Sequence, residues 1–255
     1  MSRKNSEQAE LSYAELLQQN RTLRQEIEAL NQQSVYLWGV YAETSRKLQI
    51  YSASIKAAVS SLLNRDIFWD GANQLEFLTT INASVNQVSD LTILLTLAFR
   101  AEAGSLILRR EPQALQEILS MAQASAQAKF PDLRLQVTCP QEGSMALVDY
   151  EYFSKALLLL FEVLSAQKYS EQISITASET GTEWQLDFVG IIPELMKIFQ
   201  QMHQCKTQPE SSDFLSTENI LRLQIICEVL HLQDISVNIL EAPVLRLSVP
   251  TTNNS

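Results

Sequence analysis

The sequence predicts an α+β protein in three successive parts: an N-terminal parallel coiled coil over 1–44, a dimerising helical hairpin over 45–105, and an α/β sandwich over 106–255. Three observations predict it. Leucines recur every seven residues at Leu16, Leu23, Leu30 and Leu37. A second heptad stripe, Leu78, Ile81, Val85 and Val88, follows a Gly-containing break at "RDIFWDGAN". Beyond that stripe, short runs that alternate apolar and polar interleave with helical periodicity.

Composition bounds the function. The chain has 255 residues, 46% of them hydrophobic and 19% charged, which suffices for a sizeable core and more than one folding unit. A net charge of -10 and a pI near 4.8 argue against nucleic acid as a partner, because phosphate neutralisation needs a basic face. The longest apolar run, "ALLLLFEVL", falls short of the roughly 20 residues that span a bilayer, and "MSRKNSEQAE" has no apolar signal core. No membrane insertion is expected, and the cytoplasm is the expected location. Cys139, Cys205 and Cys227 are unclustered, which fits reduced thiols rather than a metal or redox pair.

The first stripe places Leu at the d positions, with Tyr13, Asn20, Ile27, Ser34 and Tyr41 at a. No Gly or Pro precedes Gly39, so a single long helix is expected. Such a helix must cover its stripe. Asn20 at an a position favours a parallel two-stranded register, which predicts a homodimer with Leu16, Asn20, Leu23, Ile27, Leu30 and Leu37 in its interface. The competing reading packs this helix onto its own globular part. The helix continues through "SRKLQIYSASIKAAVSSLLN", turns at "RDIFWDGAN" with Asp70 or Asn73 as candidate cap, and returns to a stop at Gly104. Leu78, Ile81, Val85 and Val88 extend the dimer interface, so that two hairpins form a four-helix bundle.

In the third part "PQALQEILSMAQASAQAKF" reads as a helix started by Pro112, "LRLQVTCP" and "SMALVD" as strands, and "YEYFSKALLLLFEVLSAQKYS" as a buried helix. "QISITASETGTEWQLDFVG" is a hairpin turning near Thr180 to Thr182. Helix "TENILRLQIICEVLHL" and hairpin "DISVNILEAPVLRLSVP" close a mixed sheet covered by helices on one face.

This order of elements resembles the core of a sensor histidine kinase, a dimerisation hairpin followed by an ATP-binding domain of the histidine kinase ATPase type, over about 45 to 250. The stretch "EFLTTINASVNQVSDLTILLTLAFRAEAGSLILRREP" is similar to the second dimerisation helix of such kinases and the strand entry after it. "PELMKIF" is similar to the segment that follows their adenine-binding box.

The chemical motifs that the resemblance implies fail position by position. Arg46 stands where the family's phosphoacceptor histidine belongs, and a guanidinium has no lone pair to attack phosphorus. The proline of that box is replaced by Tyr51. Leu159 and Val163 stand where two asparagines belong, the second of which holds magnesium in the family, and neither has an oxygen to offer. The intervening acid Glu162 remains, and reads either as a base or, more simply, as a solvated helix residue. The adenine box Asp-x-Gly-x-Gly falls on residues 187–191, where Asp187 survives, Val189 and Ile191 replace the glycines, and Gly190 sits between the expected positions. Val189 and Ile191 are expected to fill the adenine pocket or block its mouth. No glycine follows Gly190, so the phosphate-cradling loop falls on "DFLSTENILRL", where Ser216 or Thr217 reads as a helix cap. His203 and His231, the chain's only histidines, read as surface or packing residues.

With no catalytic residue, cofactor or metal expected, and Glu162, Asp187 and Gly190 as vestiges, the sequence reads as a catalytically inactive, dimeric histidine-kinase-like protein. Its expected partners are a second copy and a response regulator or an active kinase. The face bearing Arg46 is the expected docking surface, with a possible aromatic patch at Tyr36, Trp38 and Tyr41. Two other readings stand beside it: a weak ATP-binding kinase or phosphotransferase using Asp187 and Glu162, or His203 or His231, and a structural subunit acting through its coil.

Overall fold

The computed structural model describes residues 2–63, 71–140, 143, 145–166, 172–205, 215–240 and 244–252, apart from the side chains of 2–16, 26, 29–37, 71 and 205. It contains two long helices, α1 (Ser2–Leu63) and α2 (Gly71–Glu102), followed by an α/β sandwich. The sandwich runs β1 (Glu111–Gln113), α3 (Leu115–Lys129), β2 (Leu135–Thr138), β3 (Ala146–Val148), α4 (Tyr150–Ser165), β4 (Ile173–Glu179), β5 (Glu183–Val189), α5 (Pro193–Cys205), α6 (Thr217–Leu232), β6 (Ser236–Ile239) and β7 (Val244–Pro250). Compact units divide at residue 45: one is Met1–Ser45, the other Arg46–Ser255. The end of α1, all of α2 and the sandwich thus share the second unit.

The main sheet has the order β2-β4-β5-β7-β6; β2 and β4 are parallel and the other neighbours antiparallel. Side chains alternate across it as the pleat requires. Ile173, Ile175, Leu186, Phe188, Leu245 and Leu247 point inward and are buried, whereas Thr176, Gln185, Asp187 and Arg246 point outward. One face is therefore apolar and carries the helices. α4 supplies the centre of the core through Phe153, Leu157, Leu160, Phe161 and Leu164, each buried to 2% exposure or less. Burying each such side chain stabilises the fold by about 1.5–3 kcal/mol. α4 packs on α3 and α6, and α2 packs on α6.

Local chemistry sets the element ends. Asp149 caps α4: its Oδ1 accepts from Tyr152 N at 3.0 Å and its Oδ2 from Arg109 N at 2.7 Å. Gln233, wholly buried where α6 ends, accepts from Asp149 N at 2.7 Å. α2 stops at Gly104, where φ is +60° and Ser105 N donates to Arg100 O at 2.9 Å. Gly181 supplies the positive φ of the β4–β5 turn, at the position read from the sequence.

Two sequence readings are corrected. Pro112 does not start a helix; it lies in β1, paired with Leu147 of β3, and α3 begins at Leu115. A two-stranded sheet leaves an edge on which proline's missing N–H costs nothing. Asn73 lies inside α2 rather than capping it, while Asp70 is outside the described residues.

Candidate functional site

The helix α4 carries the positions that the family resemblance assigns to metal and nucleotide. Leu159 is 8% exposed and Val163 1%. Both face protein packing, and neither presents an oxygen to a cation. Between them Glu162 is not the solvated residue read from the sequence. Its side chain is only 15% exposed, with Oε1 2.6 Å from Lys129 Nζ on α3 and Oε2 2.7 Å from Arg222 Nε on α6. A carboxylate so enclosed needs counter-charges, and the two neighbouring helices supply them.

These cations extend the pairing. Lys129 Nζ also lies 3.6 Å from Asp90 on α2, and Arg222 Nη1 lies 3.5 Å from Glu218, one turn earlier on α6. Glu218 in turn holds Lys47 of α1 at 2.5 Å. Burial pulls the Lys129 ammonium down, but hydrogen bonding and attraction from Glu162 and Asp90 outweigh it and leave it above the usual lysine range.

Asp187 stands elsewhere. Its neighbours Leu186 and Phe188 point into the core at 0% exposure, so Asp187 points to the far face of the sheet. There it lies directly across from Arg246 of β7 and accepts two hydrogen bonds, each 2.6 Å, from Nε and Nη2. This fork-to-fork pairing holds the Arg246 guanidinium above its ordinary range. Glu162, in the helix layer, and Asp187, on the far face of the sheet, therefore lie on opposite sides of the sheet. The sequence reading of Val189 is corrected as well, since it shares the outward parity and is 43% exposed; Ile191, at 4%, is buried.

Gly190 has a structural reason to be glycine. Its φ is +93°, and a Cβ there would sit 2.2 Å from the carbonyl oxygen of Gln172. The sequence stretch aligned with the phosphate loop forms a helix start, with Ser216 Oγ accepting from Asn219 N at 3.3 Å. Leu159 and Val163 thus offer no oxygen to a magnesium ion, and both carboxylate oxygens of Glu162 are taken by Lys129 and Arg222.

His203 Nε2 lies 3.0 Å from the carbonyl of Ile235, which assigns the proton to that nitrogen. Burial pushes its pKa below the ordinary value despite this hydrogen bond, and the nearby His231 pushes the same way. Arg46, which has an interaction of its own, and His231 are exposed. Along the expected dimer stripe, Asn20, Leu23, Ile27, Leu78 and Val85 are exposed in the single chain, and Ile81 and Val88 half-buried. The side chains of Leu16, Leu30, Leu37 and Tyr36 are outside the described residues. Trp38 is 71% exposed and Tyr41 half-buried.

Known proteins resemble the chain in fold. The structure of the Acinetobacter baumannii histidine kinase AdeS superposes with a TM-score of 0.54 at 11% identity, covering 80% of this chain and 97% of that one. Full-length ShkA, solved in complex with AMPPNP, gives 0.51 at 13% identity over 82% of this chain and 45% of ShkA. The fold is that of a histidine kinase core. No protein-family model matches the chain, and neither does any curated protein.

The kinase fold explains why the sequence alone pointed to the right element order, whereas the charged chain around Glu162 was missed. Its members lie 33 to 171 residues apart in sequence wherever they join different elements. The acid within the apolar run Ala156–Leu164 was the available signal: a carboxylate among buried leucines requires cations from neighbouring elements.

Proposed function

We propose that this chain is a histidine-kinase-like protein without kinase activity, working as a homodimer that binds a receiver domain of a response regulator or an active kinase. The observation that carries the reading is Glu162 held between Lys129 and Arg222, flanked by buried Leu159 and Val163 where the resemblance places two asparagines, the second of them the magnesium ligand. Arg46 at the acceptor position supports it, since its protonated guanidinium has no lone pair with which to take over the histidine's attack on phosphorus. The exposed apolar residues Leu23, Ile27, Leu78 and Val85 support self-association through the coil and the hairpin. No described helix is long and apolar enough to cross a membrane, and a cytoplasmic site of action is part of the proposal.

The test is a transfer assay with γ-labelled ATP and magnesium, run with and without a purified receiver domain. The reading expects no label on either polypeptide. Label on this chain, or its passage to the receiver, overturns it in favour of a working kinase or phosphotransferase.

A further inference from the structure

Six charged side chains form one continuous series of alternating sign: Lys47, Glu218, Arg222, Glu162, Lys129 and Asp90. It starts on α1, crosses α6, α4 and α3, and ends on α2. The two ends belong to the hairpin and the four middle members to the sandwich. Glu162 and Arg222 are 15% and 17% exposed, Glu218 and Lys47 21% and 27%. Only the Asp90–Lys129 end is largely open, at 61% and 51%. An isolated exposed ion pair contributes little; here the shielded inner charges Glu162 and Arg222 hold the outer ones in place, while the ends that reach the hairpin, Lys47 and above all Asp90, are more open to solvent and so respond to salt.

We propose that this series is an ionic latch that sets how the sandwich seats on the hairpin. Apolar packing of α2 on α6 holds the two together but is non-directional, so it permits sliding and rotation. The charges supply direction. Glu162 is the positioning residue: it fixes Lys129 and, through Arg222, Glu218, which are the two groups that reach the hairpin.

The chain between hairpin and sandwich agrees with a pivot. Arg109 N is tied to Asp149, and Arg110 is paired with Asp234, so the incoming segment is fastened to the sandwich from Arg109 onward. On the hairpin side Gly104, whose φ is +60°, and Ser105, bonded to Arg100 O, close α2, so a pivot would fall between Ser105 and Arg109. Opening the latch lets the sandwich rotate about this point without unfolding either part. The proposal is independent of whether the chain binds nucleotide or carries out transfer.

The experiment is a pulsed spin-label distance measurement on the full chain, with labels at Asn86→Cys on α2 and Ser178→Cys on β4, both exposed positions. Cys139→Ser and Cys205→Ser form the background, and labelled chain is diluted into unlabelled chain. Raising NaCl from roughly 0.1 M to roughly 1 M shortens the screening length from about 10 Å to about 3 Å. The latch predicts one narrow distance at low salt and a broad or doubled distribution at high salt. It predicts the broad distribution for K47A/D90A already at low salt, while K47R stays narrow. These substitutions replace partly exposed helix residues, so the fold is kept, as circular dichroism will verify. A distribution that ignores salt, or one that responds to salt while K47A/D90A remains narrow, overturns the proposal.

Discussion

The Glu162 carboxylate of α4 shows how much one residue's surroundings decide. Glu162 has two cations within 2.7 Å and little solvent. Replacing it by Ala leaves Arg222 enclosed and short of its main partner. The expected loss is about 2 kcal/mol, read as a lower urea midpoint at unchanged slope, because charged hydrogen bonds of this kind contribute roughly 1.5–3 kcal/mol. His203 gives a prediction in pH. Its folded pKa is lowered, so the unfolded chain binds the proton more readily, and the stability it confers is present above the ordinary histidine pKa and lost as pH falls below it. Thermal melting from about pH 7 to about pH 5 should therefore fall more steeply for the wild-type protein than for H203Q. Equal slopes would refute the assignment of His203 as a half-buried neutral imidazole. Cys227, buried with its thiol pushed well above the usual range by desolvation and then by Glu228, should resist alkylation in the native protein.

Among elements, the strand ends and caps separate what was readable from what was not. The long first helix, the Gly104 stop, the Gly181 turn and the Ser216 cap are local patterns, and each is found where the residues indicate. Pro112 was misread because proline suits both a first helical turn and an edge strand; only pairing with β3, far along the chain, decides between them. Asp187 and Val189 were read through the motif alignment, without regard to which face of the sheet they occupy. The alternation Trp184, Leu186, Phe188 in the same stretch already assigned them to the outer face. Their partner Arg246 lies 59 residues away and could not be named in advance. Gly190 provides the sharpest element-scale test. G190A should cost about 1–3 kcal/mol, because the β-carbon both strains a positive φ and collides with the Gln172 carbonyl. By contrast G39A, in a helix with nothing within 4 Å of the new carbon, should stabilise by about 0.5–1 kcal/mol. Paired urea melts on the two variants check both signs.

For the whole molecule, the helical hairpin and mixed α/β sandwich of a histidine kinase core persist with an interior suited to packing. A magnesium-bound triphosphate needs oxygen ligands and a backbone that can approach closely. The described side chains of α4 offer leucine, valine and a carboxylate already neutralised by two helices. The proposed dimer belongs to the same scale: the exposed Leu23 and Ile27 on α1 and Leu78 and Val85 on α2 predict a mass of two chains by light scattering at micromolar concentration, and N20L should leave association intact while loosening the choice of register. The account's central claim concerns the helix layer around Glu162, and calorimetric titration of the full-length protein with magnesium and ATP tests it most directly. The prediction is no saturable heat; a saturable isotherm with a low-micromolar dissociation constant would contradict it.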